Sequence, residues 1–186
     1  MRRLILAATL TLATAVPAIA VTLAGVTLPD HVTAGNQQLV INGVGLRKKF
    51  IIKVYVGGLY LPAKQSNAAT VIATDAARRL TFHFLFSVSK SQMADAWEEG
   101  LEDNTPNASA EVKNAFKTLQ SWMEAIPKGN EMVLTYVPGQ GTTVEVNGKT
   151  KGTLPGKATA DAILNTWIGP DPAPGADFKK AVLGIR

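Results

Sequence analysis

The chain contains no cysteine, only two histidines, and no apolar run of membrane-spanning length after its first twenty residues. Without cysteine there are no disulfides, no thiol nucleophile, no thiolate metal site and no lipid-modified cysteine. His31 and His83 belong to no metal-ligand or catalytic-triad spacing, and neither a G-x-S-x-G nor an H-E-x-x-H pattern occurs. No fixed-period repeat is visible, which argues against a solenoid. Charged residues are 18% and hydrophobic residues 46% of the 186, a balance that excludes a disordered chain and suits one globular domain.

What is present begins with an export signal. Arg2 and Arg3 precede an uncharged apolar stretch from Leu4 to Ala15, and Ala18-Ile19-Ala20 supplies the small-x-small pattern of a signal-peptidase site. The expected cut lies between Ala20 and Val21. It divides the chain into a signal peptide, 1–20, and one domain, 21–186. The apolar stretch is short for a bilayer span of about 20 residues. The expected product is therefore periplasmic or secreted, with no stable membrane anchor. It keeps 17 basic and 14 acidic side chains, a net charge of +3. That mild excess gives nucleic-acid binding little support.

Along the domain, residues 21–37 read as an extended, turn-rich lead-in. Gln38 to Ile41 reads as a short strand broken by Gly43-Val44-Gly45. Phe50 to Leu61 reads as one long strand. Its Phe50, Ile52, Val54, Val56 and Tyr60 share an apolar face expected to meet the core, while Tyr55 and Leu59 lie on a mixed face. Gly57-Gly58 marks a bulge or a close backbone approach. A short helix capped by Ser66 comes next, then a strand from Arg79 to Phe86 with Leu80, Phe82, Phe84 and Phe86 on one side. Helices follow from Ser89 to about Asp103 and from Asn107 to Ala125. Three strands come after them, Glu131–Val137, Thr142–Val146 and Lys149–Leu154, the last two joined by an Asn147-Gly148 hairpin turn. Two helices, about Lys157 to Trp167 and Ala176 to Leu183, close the chain across a Pro-rich link. Strands and helices in this order indicate α+β with a mostly antiparallel sheet and helices gathered on one side.

Few residues offer chemistry. Glu98-Glu99 and Glu102-Asp103 read as a solvent-facing helix surface, and Gly139-Gln140-Gly141 as a hairpin turn, since no helix follows it as a phosphate loop requires. Asn107-Ala108-Ser109 matches a glycosylation sequon. Arg47, Lys48, Lys49 and Lys53 form the one local basic cluster, read either as a solvated strand edge or as an anion site.

Residues 41–61 carry a Gly-x-Gly-x-Arg element, Gly43, Gly45 and Arg47, followed by Lys-Val-Tyr-x-x-Gly-Leu-Tyr from Lys53 to Tyr60. This resembles the chalcone isomerase-like family, in particular its exported bacterial members. Ser89 to Gly100, Pro138 to Thr142, Gly152 to Gly156 and Trp167-Ile168-Gly169 continue the resemblance across nearly the whole domain. It implies an open-faced β-sandwich, a large antiparallel sheet covered by a layer of helices. It also implies a cleft that holds a flavonoid precursor or a fatty acid.

Arg47 matches the arginine that supports enolate charge in the true isomerases, but the threonine position is Tyr55. The helix over Ser87 to Glu102 has neither the tyrosine nor the asparagine of the isomerases. The fatty-acid-binding branch, in which an arginine and a tyrosine hold the carboxylate, is the better match. It implies Arg47 and Tyr55 as ligand-binding residues, a small amphipathic carboxylate as ligand, no cofactor, no metal and no catalytic residue. An intramolecular lyase acting on another enone, and a partner protein with a filled cleft, are the alternatives. Eight residues of straight strand span about 26 Å. Arg47 and Tyr55 can therefore share one carboxylate only if the chain bends near Lys48-Lys49.

Overall fold

The computed structural model describes residues 20–185; the expected signal peptide lies outside them except for Ala20. Among the described residues, nine strands and five helices follow in order. They are β1 (Ala20–Leu23), β2 (Val26–Pro29), β3 (His31–Ala34), β4 (Gln37–Lys49), β5 (Ile52–Leu61), α1 (Ala68–Ala73), β6 (Arg78–Phe84), α2 (Lys90–Asn104), α3 (Ala110–Trp122), β7 (Glu131–Val137), β8 (Gly141–Val146), β9 (Lys149–Leu154), α4 (Lys157–Ile168) and α5 (Ala176–Val182). Strands β3 to β9 form one antiparallel sheet in sequence order, and β1 and β2 form a separate hairpin. Helices α2, α3 and α4 pack on one another over one sheet face. This is the α+β arrangement expected from the order of elements, and the open-faced sandwich that the resemblance implies.

Local chemistry sets several boundaries. Ser89 caps α2 in a full capping box with Gln92, and Ser109 caps α3. Asn147 and Gly148, both at positive φ, make the two-residue β8–β9 turn. Helix α1 is capped by Asn67 rather than Ser66: the Asn67 side chain accepts the Thr70 N–H at 2.9 Å. The lead-in, read as extended and turn-rich, forms the short strands β1, β2 and β3.

The largest departure from the sequence reading lies between residues 38 and 61. Gly43-Val44-Gly45 does not break the strand; β4 runs on to Lys49. Phe50-Ile51 is a two-residue turn, and β5 starts only at Ile52. The two faces of β5 are also exchanged. Tyr55, Leu59 and Leu61 face the main core beneath the helices. Val56 and Tyr60 face the other side, where Val26 and Leu28 of the β1–β2 hairpin and Leu39 and Ile41 of β4 cover them. Both faces are thus buried, so polarity along the strand does not tell inside from outside.

Two bulges shape β4 and β5. Asn42 is an extra residue on β4 and Val54 on β5. The Asn42 side chain donates to the carbonyls of Val182 (2.8 Å) and Gln65 (3.0 Å) and accepts the Gln65 N–H (2.7 Å). It ties the end of α5 and the loop after β5 to the sheet. Asn42→Ala leaves these buried backbone groups unpaired and should cost about 2–3 kcal/mol, read as a lower denaturation midpoint at unchanged m-value.

Candidate functional site

The β4–β5 hairpin brings the two sequence-derived site residues together. Arg47 and Tyr55 are direct cross-strand partners, so their side chains leave the same face of adjacent strands. The bend that a shared site requires is the Phe50-Ile51 turn. Sequence reading missed it because neither residue is a usual turn former, and Phe50 takes a positive φ of 56°.

Behind Arg47 on the same face stand Gly45 and Gly57, paired across the strands, then Gly43 and Leu59. The glycines are there for α5. A Cβ on Gly45 would lie 2.7 Å from the Phe178 ring and one on Gly57 2.6 Å from it, while one on Gly43 would run into the Ala181 carbonyl. The Gly-x-Gly-x-Arg element is thus a seat for α5, and Phe178 fills the groove between Gly45 and Gly57. Gly58 meets Leu28 on the opposite face, so the glycine pair marks close approach on both sides of the sheet and not a bulge.

Arg47, half-buried, donates a guanidinium hydrogen bond to the Ala173 carbonyl in the Pro-rich link before α5. That bond occupies one of five N–H donors, and the planar fork can also engage an anion. Tyr55 is buried, and its hydroxyl oxygen accepts the Trp167 indole N–H at 3.0 Å. Burial pushes the Tyr55 hydroxyl up to about 12; the Arg47 charge and the Trp167 N–H oppose that rise without cancelling it. At neutral pH Tyr55 is therefore a neutral phenol with a proton to donate.

Around these two groups the interior is aromatic. Tyr55 meets Phe82 edge-on at 5.1 Å and Phe178 at 5.8 Å, and Trp167 packs on Phe82 at 4.7 Å and on Trp97 at 5.0 Å. One always-charged group beside one neutral donor, at the rim of an apolar interior, can orient a carboxylate and shelter an alkyl or aromatic body. Two concavities stand out, and neither borders Arg47. One of about 240 Å³ lies between the loop after β5 and α1, lined in part by Leu61, Lys64, Val71 and Arg78. A smaller one lies between α4 and strands β6 to β8.

Other sequence readings find their places. His83 lies against Glu131 (3.1 Å) and the acidic residues of α2 face solvent. Asn104, the last residue of α2 and two positions after Glu102, is buried; it donates to the Asp171 carbonyl and accepts the Asp171 N–H, clamping the link that Arg47 also holds. Only the folded structure shows this clamp, because Asp171 is distant in sequence.

No curated protein matches the sequence. Among solved structures, a fatty-acid-binding protein of Arabidopsis thaliana is similar, with a TM-score of 0.69 at 16% identity over 89% of this chain and 96% of that one. A family model described as chalcone isomerase-like matches residues 20–184. The chain belongs to the chalcone isomerase-like family.

Proposed function

We propose that this chain is an exported, non-catalytic member of the family that binds a small amphipathic carboxylate, a fatty acid in the first instance. Arg47 and Tyr55 hold the carboxylate. The observation that carries the reading is the cross-strand pairing of these two residues at the rim of an aromatic interior. Arg47 supplies charge-assisted hydrogen bonds and the neutral Tyr55 hydroxyl supplies one more. Each buried methylene of the tail adds about 0.8 kcal/mol. The Arabidopsis protein of similar fold is named for fatty-acid binding, which supports the same ligand class.

A second reading has its own observation. Phe178 already occupies the groove next to Arg47, so the cleft is filled by the chain's own side chain, as in a partner or scaffold protein. The carboxylate reading therefore requires Phe178 and α5 to give way.

Native mass spectrometry of the protein exported to a bacterial periplasm separates the two. The carboxylate reading expects a chain starting at Val21 that carries an extractable fatty acid, or takes one up on incubation. Tyr55→Phe keeps the ring packing and removes one donor. Arg47→Ala removes the charge and should weaken binding at least tenfold, since hydrogen bonds to charged groups contribute about 1.5–3 kcal/mol. A chain that stays empty with added fatty acid, or binds it equally well as Arg47→Ala, favours the filled-cleft reading. Enone cyclisation would then be the next screen.

A further inference from the structure

The β4–β5 hairpin does not stop at the site. Beyond Arg47 and Tyr55 it continues through Lys48, Lys49, Phe50, Ile51, Ile52 and Lys53 with no strand of the described residues on either flank: β3 pairs with β4 only up to Val40, and β6 reaches only to Tyr55. At ~3.3 Å per residue this free end stands about 10 Å clear of the sheet. Its tip is apolar and open: Phe50 is 92% exposed and Ile51 97%, with Ile52 also exposed. Phe86 is exposed at the same end, its N–H bonded to the Val54 carbonyl. Isolated apolar residues on a surface need no explanation, but a consecutive solvent-facing Phe-Ile-Ile does.

The tip is also ringed by cations. Lys48, Lys49 and Lys53 are exposed, and the segment from Arg47 to Lys53 holds no acid. An acid at this end of the sheet, Glu131 on β7, is two strands away and lies against His83. Lys48 and Lys53 are direct cross-strand partners, and like charges in that position destabilise a hairpin. The turn adds to the cost. A two-residue loop with positive φ at its first residue favours glycine there, yet the residue is Phe50. The folded chain gains nothing from this apolar tip, these facing lysines or this phenylalanine. A surface with negative groups above an apolar layer would satisfy all three.

We propose that the β4–β5 tip docks reversibly on an anionic lipid bilayer. Phe50, Ile51 and Ile52 enter the headgroup–acyl boundary, and Lys48, Lys49 and Lys53 meet the negative headgroups. The reach of the free end matches the 5–10 Å to which amphipathic elements sink at that boundary. Docking does not depend on the carboxylate reading. Where both hold, it sets Arg47 against the lipid from which a fatty acid would come.

Because the chain has no cysteine, a single one placed at Ile51 takes a unique environment-sensitive dye. Ile51→Cys so labelled should brighten and shift to the blue on vesicles of phosphatidylcholine with phosphatidylglycerol. The same label at Ser121→Cys, on exposed α3 surface, should not respond. Vesicle co-sedimentation of the unlabelled protein should weaken as salt shortens the screening length from about 10 Å to about 3 Å. Neutralising the three lysines (K48Q, K49Q, K53Q) should weaken it on the order of a hundredfold, about fivefold per lysine. Phe50→Ser with Ile51→Ser should abolish it. A silent label at Ile51, or equal binding to pure phosphatidylcholine, would overturn the proposal. So would a dye response that follows protein concentration without lipid, which would show a second copy covering the tip. No fatty acid enters the assay, so its failure is separate from failure of the carboxylate reading.

Discussion

Phe178→Ala should destabilise the protein by about 3–4 kcal/mol, the range for removing a buried phenyl ring, and at the same time improve carboxylate binding. The ring is 2% exposed and rests on Gly45, Gly57 and the edge of Tyr55. Nothing nearby is free to collapse into the vacated space. The glycines have no side chains, and Tyr55 is fixed through Trp167. The space left adjoins Arg47, so an alkyl tail whose carboxylate sits on Arg47 can lie where the ring was. In a domain of this size each kcal/mol moves the midpoint by about 2–4 °C, giving a fall of roughly 10 °C without ligand. A fatty acid at a hundred times its Kd would return about 2.7 kcal/mol. Thermal denaturation of Phe178→Ala with and without fatty acid reads both effects. If the midpoint falls and no fatty acid restores it, the ring is core and the filled-cleft reading gains. If affinity drops tenfold, Phe178 is a wall of the site rather than its plug.

This experiment turns on a contact that the sequence could not disclose, and the reason is general. Local signals were legible where the cause is local: the Ser89 cap, the Asn147-Gly148 turn, the edges of β7 and β9. Gly43, Gly45 and Gly57 were visible as a pattern but not as a seat, because what sits there is α5, through Phe178 and the Ala181 carbonyl, more than a hundred residues further along the chain. The same distance hides Asn42, whose partner Val182 fixes it as a clip and a bulge. The apolar parity of β5 was readable. Its assignment to inside or outside was not, since the β1–β2 hairpin buries the second face. Arg47 and Tyr55 were named through a family resemblance, whereas their adjacency depends on a turn made of Phe and Ile. A turn that breaks the usual chemistry is unreadable from propensity.

Alkaline titration should show no phenolate near pH 10 in the folded protein, then a cooperative loss of structure as pH approaches 12. The chain has three tyrosines, and Tyr55, Tyr60 and Tyr136 are each pushed up to about 12 from the ordinary 10. Burial is the leading cause in every case. Tyr60 donates to the Pro29 carbonyl at 3.0 Å and Tyr136 to the Asp75 carboxylate at 2.6 Å, bonds that require the phenol proton. The native state therefore holds protons that the unfolded chain releases. The stabilisation is fully present below pH 10 and is lost as pH rises through the folded values. Each tyrosine contributes a slope of up to about 1.4 kcal/mol per pH unit. Together they reach about 4 kcal/mol per unit, or about 8 kcal/mol over the two units between 10 and 12, enough to exhaust a stability in the lower half of the typical range of about 5–15 kcal/mol. Phenolate absorbance and circular dichroism followed on one sample should change together. Gradual phenolate formation centred near pH 10 with the fold intact would contradict the burial of these groups. Tyr55→Phe should lower the slope by about a third. The titration bears on the binding site as well. A phenolate at Tyr55 would repel a carboxylate, whereas the neutral hydroxyl donates to it. Carboxylate affinity should therefore stay level from the end of carboxylate titration, about pH 6, to beyond pH 9. If Tyr55 ionised at its ordinary pKa, affinity would already be falling at the upper end of that range.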